Sequence, residues 1–164
     1  MFIDLTPEQH ALRREVRDYF QALMTPELRL AMRGAESGDS YKQLVRQMGK
    51  DGWLAVGWPK AYGGRGYAGT EQLIFFEEAN IAGAPLPFVT ISTVGPALME
   101  HGTDAQKQRF LPGIAAGEIH FAIGYSEPEA GSDLATLKTT ARLDGEHFVV
   151  NGNKLWTSGA EAAD

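Results

Sequence analysis

The sequence predicts an α+β fold, in which an N-terminal all-α helical domain is followed by the first strands of an antiparallel β-domain. Apolar residues recur at helical spacing as far as Gly117, with helix caps and stops between the runs. Beyond Gly117 the period changes to the alternation that is typical of a strand. We therefore predict a helical domain at residues 1–119 and an incomplete β-domain at residues 120–164. The alternating residues are Leu137, Thr139, Ala141 and Leu143.

The composition is that of a folded globular protein. The chain has 164 residues, of which 43% are hydrophobic and 22% are charged. A net charge of −6 without a basic patch argues against a nucleic-acid partner. Because cysteine is absent, disulfides, thiolate metal sites and thiol nucleophiles are excluded. The chain opens without signal-peptide features and has no apolar run of membrane-spanning length, so we expect a cytoplasmic protein with no integral membrane segment.

Three helices are expected in the first third of the chain. Residues 6–9 combine a threonine cap, a first-turn proline and a glutamine that reaches back, which predicts a helix to about Met24. Residues 25–32 form a second, shorter helix, and the polar residues 36–39 form a loop. Residues 40–43 repeat the capping pattern and predict the start of a third helix.

The apolar run that begins at Trp53 breaks into a glycine-rich loop, residues 63–69. Its glycines match the spacing of the dinucleotide-binding fingerprint, and a helix follows. However, residues 59–63 separate the apolar run from the glycines, and no second parallel strand follows the helix. We therefore interpret the loop as structural rather than as a nucleotide site. The aromatic residues expected to cover the helical core here are Trp53, Trp58 and Tyr62.

The next helix, at about residues 70–82, is apolar around most of its circumference and should lie deep in the core. Glu77 and Glu78 are adjacent carboxylates on it. Neighbours in a helix point about 100° apart, so we expect a solvated or ion-paired edge rather than an acid–base pair. Further helices are expected through residues 94–102 and 103–117, and a cap-like pattern at residues 103–106 predicts the start of the second.

The C-terminal part reads as strands and tight turns. Residues 121–125 alternate as in a strand, and Asp144-Gly145 signals a hairpin whose return strand is residues 148–150. Asn151-Gly152 predicts a second tight turn into a strand at residues 155–158. These few strands cannot cover both faces of a stable sheet, and they leave its edges unpaired. We therefore expect residues 1–164 alone to be prone to aggregate.

Between these strands lies an irregular stretch, residues 121–134, which turns at Pro128. Gly131 allows a positive φ or the close approach of another group to the backbone. Ser126, Ser132 and Asp133 carry short side chains that can bond either a ligand or their own main chain. From these residues alone, a ligand site and a structural corner both remain open.

Other chemistry finds little support. Gly124-Tyr125-Ser126 begins like the nucleophile elbow of a serine hydrolase, but Pro128 stands where that motif needs glycine. The histidines are isolated from one another and from paired acids, so no metal site is predicted, and we expect each at the surface or at a helix cap. These histidines are His10, His101, His120 and His147.

Two motifs stand out in the C-terminal part of the chain: residues 125–133 read YSEPEAGSD, and residues 151–158 read NGNKLWTS. Both motifs resemble the acyl-CoA dehydrogenase family. Residues 57–64 and 102–107 are also similar to this family, so the resemblance covers nearly the whole chain in the right order. Within the family, residues 57–66 and 121–128 look most like actinobacterial subunits that oxidise CoA thioesters of steroid side chains.

The resemblance implies a fold of N-terminal helices, a middle β-domain and a C-terminal helical bundle absent from this chain, with FAD held between the middle domain and the bundles. Ser132 also matches a contact to the CoA portion of the substrate. Tyr125 departs from the small aliphatic residue that is common at its position, and Ser126 and Ser158 stand where threonine is frequent. The residues that match flavin contacts are Ile123, Tyr125, Ser126, Gly131, Ser132, Trp156, Thr157 and Ser158.

Physical chemistry is compatible with these implied roles. Flavin reduction builds negative charge on the pyrimidine end of the ring, where the Ser126 hydroxyl and nearby backbone N–H groups would favour it. The resemblance places Ser158 near the reactive N5, and Trp156 offers a flat apolar face to the ring. A core tryptophan of the sheet is the alternative for Trp156. Because Trp156 and Ser158 are two apart on the predicted strand, we expect both on one face of the sheet.

The implied activity is FAD-dependent dehydrogenation of an acyl-CoA to the 2,3-enoyl-CoA, in which a base removes the α-proton and the β-hydride passes to flavin. That base is a glutamate of the family's C-terminal half, outside this sequence, so Glu127 and Glu129 are expected to be non-catalytic and residues 1–164 alone to be inactive. The implied partners are acyl-CoA, electron-transfer flavoprotein as the acceptor, and further subunits of a homo- or hetero-tetramer. An acyl-CoA oxidase-like enzyme, and a non-catalytic subunit or fragment of a heteromer, are the alternatives.

Overall fold

The computed structural model describes residues 4–34 and 37–164, so the loop expected at residues 36–39 lies partly outside the described residues. Across the described part, a helical region precedes one β-hairpin. The α-helices are α1 Pro7–Leu23, α2 Pro26–Ala31, α3 Asp39–Lys50, α4 Gly69–Ala82, α5 Gly95–His101 and α6 Asp104–Ala115. Shorter helical segments are the 3₁₀ turns Lys60–Tyr62 and Leu134–Thr136 and the π-helix Val89–Val94, and the strands are β1 Thr140–Asp144 and β2 His147–Asn151.

The caps read from the sequence set the starts of α1 and α6. Thr6 Oγ1 accepts from Gln9 N at 3.2 Å, and Gln9 Oε1 accepts from Thr6 N at 3.0 Å. Thr103 forms the same reciprocal pair at the start of α6. The cap expected at residues 40–43 is wrong, because α3 begins at Asp39 after Gly38, which has φ 91 and supplies no side-chain cap.

The core lies between α1 and α4, with α3 and α6 packed around it. Phe20 of α1 meets Phe75 of α4 with ring centroids 5.6 Å apart. Trp53 also stacks on Phe75, with ring centroids 5.9 Å apart and an interplanar angle of 3°. These buried rings join the helices to the segment that precedes the glycine-rich loop.

The glycine-rich loop folds back on this segment. Gly66 N donates to Trp58 O at 2.9 Å, and the Trp58 indole donates to Ile91 O, also at 2.9 Å. The Arg65 guanidinium lies 3.6 Å from the centroid of Trp53. The structural role expected for the loop is therefore confirmed, with all three expected aromatics in or against the core. That it binds no dinucleotide stays a prediction.

The two carboxylates of α4 have different surroundings. Glu78 is only 3% exposed and accepts two bonds from Arg17, at 2.8 and 2.9 Å. These bonds are the main cause that lowers the pKa of Glu78. Glu77 pairs with Arg13 at 2.5 Å. The expected ion pairing is confirmed, but Glu78 is buried between α1 and α4 rather than at an edge.

The helix α4 is less deeply buried than its composition predicts. Ile74, Phe75 and Ala79 are buried, whereas Leu73 and Ile81 are exposed. The apolar residues of α4 therefore extend beyond the part of the helix that this chain buries.

The helix expected through residues 94–102 begins earlier, as the π-helix Val89–Val94, and continues as α5. Pro96 lies in the first turn of α5 and has no N–H to donate to the preceding turn, which is compatible with the wider helix there. Thr90 Oγ1 accepts from Phe121 N at 2.9 Å and donates to Phe121 O at 3.2 Å. The π-helix is thereby tied to the start of the irregular stretch.

The hairpin forms as predicted, with one shift. Asp144 pairs with His147, so the two-residue turn is Gly145-Glu146 rather than Asp144-Gly145, with Gly145 at φ 63. The strands expected at residues 121–125 and 155–158 are wrong, since neither segment joins a ladder in the described structure. Residue 121 bonds the Thr90 side chain instead of a neighbouring strand.

None of the helices in the described part of the chain is both long and apolar enough to cross a bilayer.

Candidate functional site

Two segments that are distant in sequence, residues 123–127 and 153–158, lie side by side. Leu155 N donates to Ser126 O at 2.9 Å, and Lys154 Nζ donates to Tyr125 O at 3.1 Å. A Cβ built on Gly124 would lie 3.6 Å from Thr157 Oγ1. The structure therefore brings Tyr125 and Ser126 next to the segment that carries Trp156 and Thr157.

The first segment ends in a tight turn around Pro128. Glu127 N donates to Ala130 O at 2.8 Å, and Ala130 N donates back to Glu127 O at 3.1 Å. Asp133 Oδ1 then accepts from Ala135 N at 3.2 Å and caps the short 3₁₀ turn. Asp133 thus bonds its own main chain, which was one of the two uses open from the sequence.

Gly131 and Ser132 extend away from this contact. Both are exposed, and Gly131 has neither a left-handed φ nor a described atom within 4 Å of a Cβ built on it. A positive φ at Gly131 is therefore wrong, whereas the close approach of a ligand to this backbone stays a prediction. The Ser132 side chain likewise forms no hydrogen bond to the other candidate residues in the described structure.

Trp156 is the most unusual residue of the site. Its backbone has φ 59, in the left-handed region, where a bulky side chain is an outlier that costs on the order of 1 to 3 kcal/mol. The side chain is 86% exposed, so Trp156 is not a core residue of this chain. An exposed indole on a strained backbone does not help to fold these residues, which favours a binding role.

The shared sheet face expected for Trp156 and Ser158 is wrong. The chain turns at this point, with Ser158 N donating to Trp156 O at 3.0 Å. Extended geometry ends because Trp156 adopts a left-handed conformation, so alternation no longer places residues two apart on one side.

Two hollows adjoin different candidate residues. Ile123 and Tyr125 line an open groove of about 530 Å³ against the π-helix and α5, with Ala97 and Leu98 opposite. Ser158 lines a pocket of about 200 Å³ instead. The other residues that line this smaller pocket include Tyr41, Phe88, Thr90, His120 and Phe121.

The charged residue at the centre of the site is Glu127, which no pattern in the sequence singles out. Its carboxylate accepts from Lys138 N at 2.7 Å, from Thr139 N at 3.0 Å and from Lys154 Nζ at 2.9 Å. It also accepts from Thr139 Oγ1 at 2.5 Å. No periodicity or motif spacing signals a contact between residues that are 27 positions apart.

These bonds hold Glu127 in its ionised form. The Thr139 hydroxyl, followed by the backbone of Lys138 and the Lys154 ammonium, lowers the pKa of Glu127 to about 2. Because the folded-state pKa lies below the usual value of 4.5, this carboxylate stabilises the fold at higher pH. That contribution should be lost as the pH falls from about 4.5 towards 2.

The histidines differ in burial. His10 and His101 are exposed and so is His147, as expected, but the expectation is wrong for His120, which is buried beside Tyr41. Burial is the main cause that lowers the pKa of His120. Within residues 4–34 and 37–164, no group of three or more potential ligands could hold a metal ion.

Two family domains match this chain. The acyl-CoA dehydrogenase N-terminal domain matches residues 6–118, and the acyl-CoA dehydrogenase middle domain matches residues 122–164. Together the matched residues include both segments of the candidate site. Homologues in this family bind FAD.

Relatives and solved structures agree with these matches. Acyl-CoA dehydrogenase FadE26 of Mycobacterium tuberculosis is 57% identical over 168 residues, a match covering 100% of this chain and 42% of that protein. The ChsE4-ChsE5 complex of the same organism gives a TM-score of 0.93 at 59% identity, covering 100% of this chain and 42% of the matched chain. The structure of the Tcur3481-Tcur3483 steroid ACAD gives a TM-score of 0.94 at 48% identity, and the match covers 100% of this chain and 43% of the matched chain. This chain thus spans about two fifths of the length of such relatives, and it belongs to the acyl-CoA dehydrogenase family.

Proposed function

We propose that the full-length protein containing these residues is an FAD-dependent acyl-CoA dehydrogenase that converts an acyl-CoA to the 2,3-enoyl-CoA. The observation that carries this proposal is the contact between Ser126 O and Leu155 N at 2.9 Å, which sets Ser126 beside the exposed Trp156. Family membership supports the same reaction class.

The chemistry of these residues fits a flavin. Trp156 presents an uncovered aromatic face, which a planar ring would bury. No described residue bonds the side-chain hydroxyls of Ser126 or Ser158, so both donors are available to a ligand. Bound FAD would supply the two-electron acceptor for the hydride of the acyl β-carbon.

We assign roles to the remaining candidates as part of the same proposal. Ser126 would donate to the pyrimidine end of the flavin, and Ser158 would lie near its N5. Ser132 would contact the CoA portion, with Gly131 leaving room beside it. Ile123, Tyr125 and Thr157 would complete the flavin-binding surface, with Ile123 and Tyr125 on the wall of the open groove.

The substrate and assembly are proposed from the relatives. We propose an acyl group attached to a steroid, because a 48% identical structure is described as a steroid ACAD. We further propose a tetramer with a related partner subunit, with electron-transfer flavoprotein as the acceptor and the cytoplasm as the location. The two-component complexes among the similar structures support the heteromeric form. Residues 1–119 would form the helical domain and residues 120–164 the start of the β-domain.

The full-length protein, purified with candidate partner subunits, is expected to be yellow and to show a flavin absorption spectrum. Ser126→Ala should weaken FAD retention, because it removes one hydroxyl donor worth about 1 kcal/mol. Ser40→Ala is the matched control, since Ser40 is exposed on α3, far along the chain from both segments. A colourless protein that also fails to bind added FAD, alone and with partners, would contradict the assignment.

A further inference from the structure

We infer that Glu127 and Lys154 form an ionic clamp that positions the two candidate flavin-binding segments, so that Glu127 is a positioning residue for the proposed reaction. This inference rests on the proposed function. The clamp is defined by the Glu127 carboxylate, the Lys154 ammonium and the groups that these two side chains bond.

The Glu127 carboxylate joins three parts of the chain. Glu127 itself belongs to the first segment. Its carboxylate accepts hydrogen bonds from the backbone N–H groups of residues 138 and 139, which precede β1, and from the Lys154 ammonium, which follows β2. Glu127 is only 8% exposed, so these bonds are largely shielded from water. A buried carboxylate with several charge-assisted or backbone donors is held far more rigidly than a surface ion pair.

Lys154 extends the clamp to the residues next to the flavin candidates. Its ammonium bonds Glu127 Oε1 at 2.9 Å and Tyr125 O at 3.1 Å, on either side of Ser126. Its neighbour, Leu155, donates to Ser126 O at 2.9 Å. Three consecutive residues, 125 to 127, are thereby bonded to residues 154 and 155.

This arrangement fixes Ser126 relative to Trp156. Neither side chain is held by other bonds from the described residues, and Trp156 stands on a backbone conformation that is unfavourable by itself. The clamp supplies the constraint, because Lys154 lies only two residues before Trp156. Loss of the carboxylate would leave the ammonium with Tyr125 O as its one remaining partner in the described structure.

The same turn offers a matched control. Glu129 lies two residues away, is also acidic and pairs with Lys138, but this pair is exposed and bonds neither flavin segment. Glu129→Gln thus removes a charge of the same sign from the same turn while it leaves the clamp intact. Glu127→Gln and Lys154→Met each remove the ionic bond of the clamp, whereas Lys154→Arg keeps the positive charge at position 154.

The first measurement needs no flavin. Hydrogen exchange of the full-length protein with its partner subunit, freed of FAD, is followed by mass spectrometry in peptides that cover residues 121–128 and 153–158. Glu127→Gln and Lys154→Met are expected to speed exchange in both peptides, whereas Glu129→Gln leaves them unchanged. Unchanged exchange in both clamp variants overturns the clamp, whatever the protein binds.

The second measurement uses FAD and acyl-CoA. Opening the clamp is expected to raise the FAD Kd about tenfold or more and to lower the limiting rate of flavin reduction, with the half-saturating acyl-CoA concentration little changed. Lys154→Arg should recover part of both effects. Variants that melt earlier yet keep wild-type Kd and limiting rate would show a merely structural pair and overturn the positioning role. Failure of the wild type to bind FAD refutes the proposed function separately, since the exchange result does not depend on it.

Discussion

Residues 1–164 expressed alone are expected to self-associate through the β-hairpin and to retain no FAD. Leu143, Phe148 and Val150 are 61%, 68% and 63% exposed, and the register places them on one face of the hairpin. A two-stranded hairpin is marginally stable in water, and its open edges invite pairing with another copy. The apolar face should therefore drive association of this polypeptide.

A double substitution on the apolar face, compared with a control substitution on the other face, tests this cause. Phe148→Thr and Val150→Thr together should shift the sedimentation profile towards monomer, because they make the apolar face polar while keeping strand propensity. Val149→Thr is the control, since Val149 lies on the other face, opposite Arg142. A wild-type polypeptide that stays monomeric across a concentration series, or that binds FAD stoichiometrically, would contradict this expectation.

Trp156→Asn is expected to weaken FAD binding and, at the same time, to stabilise the FAD-free full-length protein. The lost stacking surface is worth about 2 kcal/mol, or roughly a 30-fold increase in the FAD Kd. Asparagine tolerates the left-handed conformation better than tryptophan does, so the free energy of unfolding should rise by about 0.5 to 1 kcal/mol. Weaker FAD binding together with a higher free energy of unfolding would indicate that Trp156 is retained for its ligand.

Trp156→Ala separates these two effects. It removes the same ring but keeps a Cβ at φ 59, so FAD affinity should fall as it does for Trp156→Asn without the gain in stability. Calorimetry of the FAD-free protein and fluorescence titration with FAD give the two quantities. An unchanged Kd in both variants would show that the indole does not contact the flavin.

Local signals made the helical part predictable. The capping boxes at Thr6 and Thr103 bond backbone N–H groups of the first helical turn to side chains no more than three residues away. These helix starts therefore need no partner that is distant in sequence. The depth of α4 was less predictable, because an apolar sequence does not specify which face finds a partner. Ile81 is exposed, although the apolar composition of α4 suggests that it would be buried.

The candidate site was predictable as two motifs but not as a geometry. Alternation at residues 121–125 indicates an extended chain without naming its partner, which is the Thr90 side chain rather than another strand. The strand expected at residues 155–158 does not form because Trp156 adopts a left-handed backbone conformation. The φ angle of a single residue cannot be predicted from residue types. The bond between Glu127 and Lys154 exists only because the hairpin returns the chain to its starting point.

The most direct test of the proposed function is anaerobic mixing of the full-length, FAD-loaded protein and its partner subunit with a steroid side-chain acyl-CoA. We expect the flavin absorbance to bleach in a single turnover with formation of the 2,3-enoyl-CoA. Ser158→Ala should lower the limiting rate about fivefold, the effect of one lost hydrogen bond near 1 kcal/mol, with half-saturation unchanged. A flavin that stays oxidised with this and with straight-chain acyl-CoA substrates would contradict the assignment of this protein as an acyl-CoA dehydrogenase.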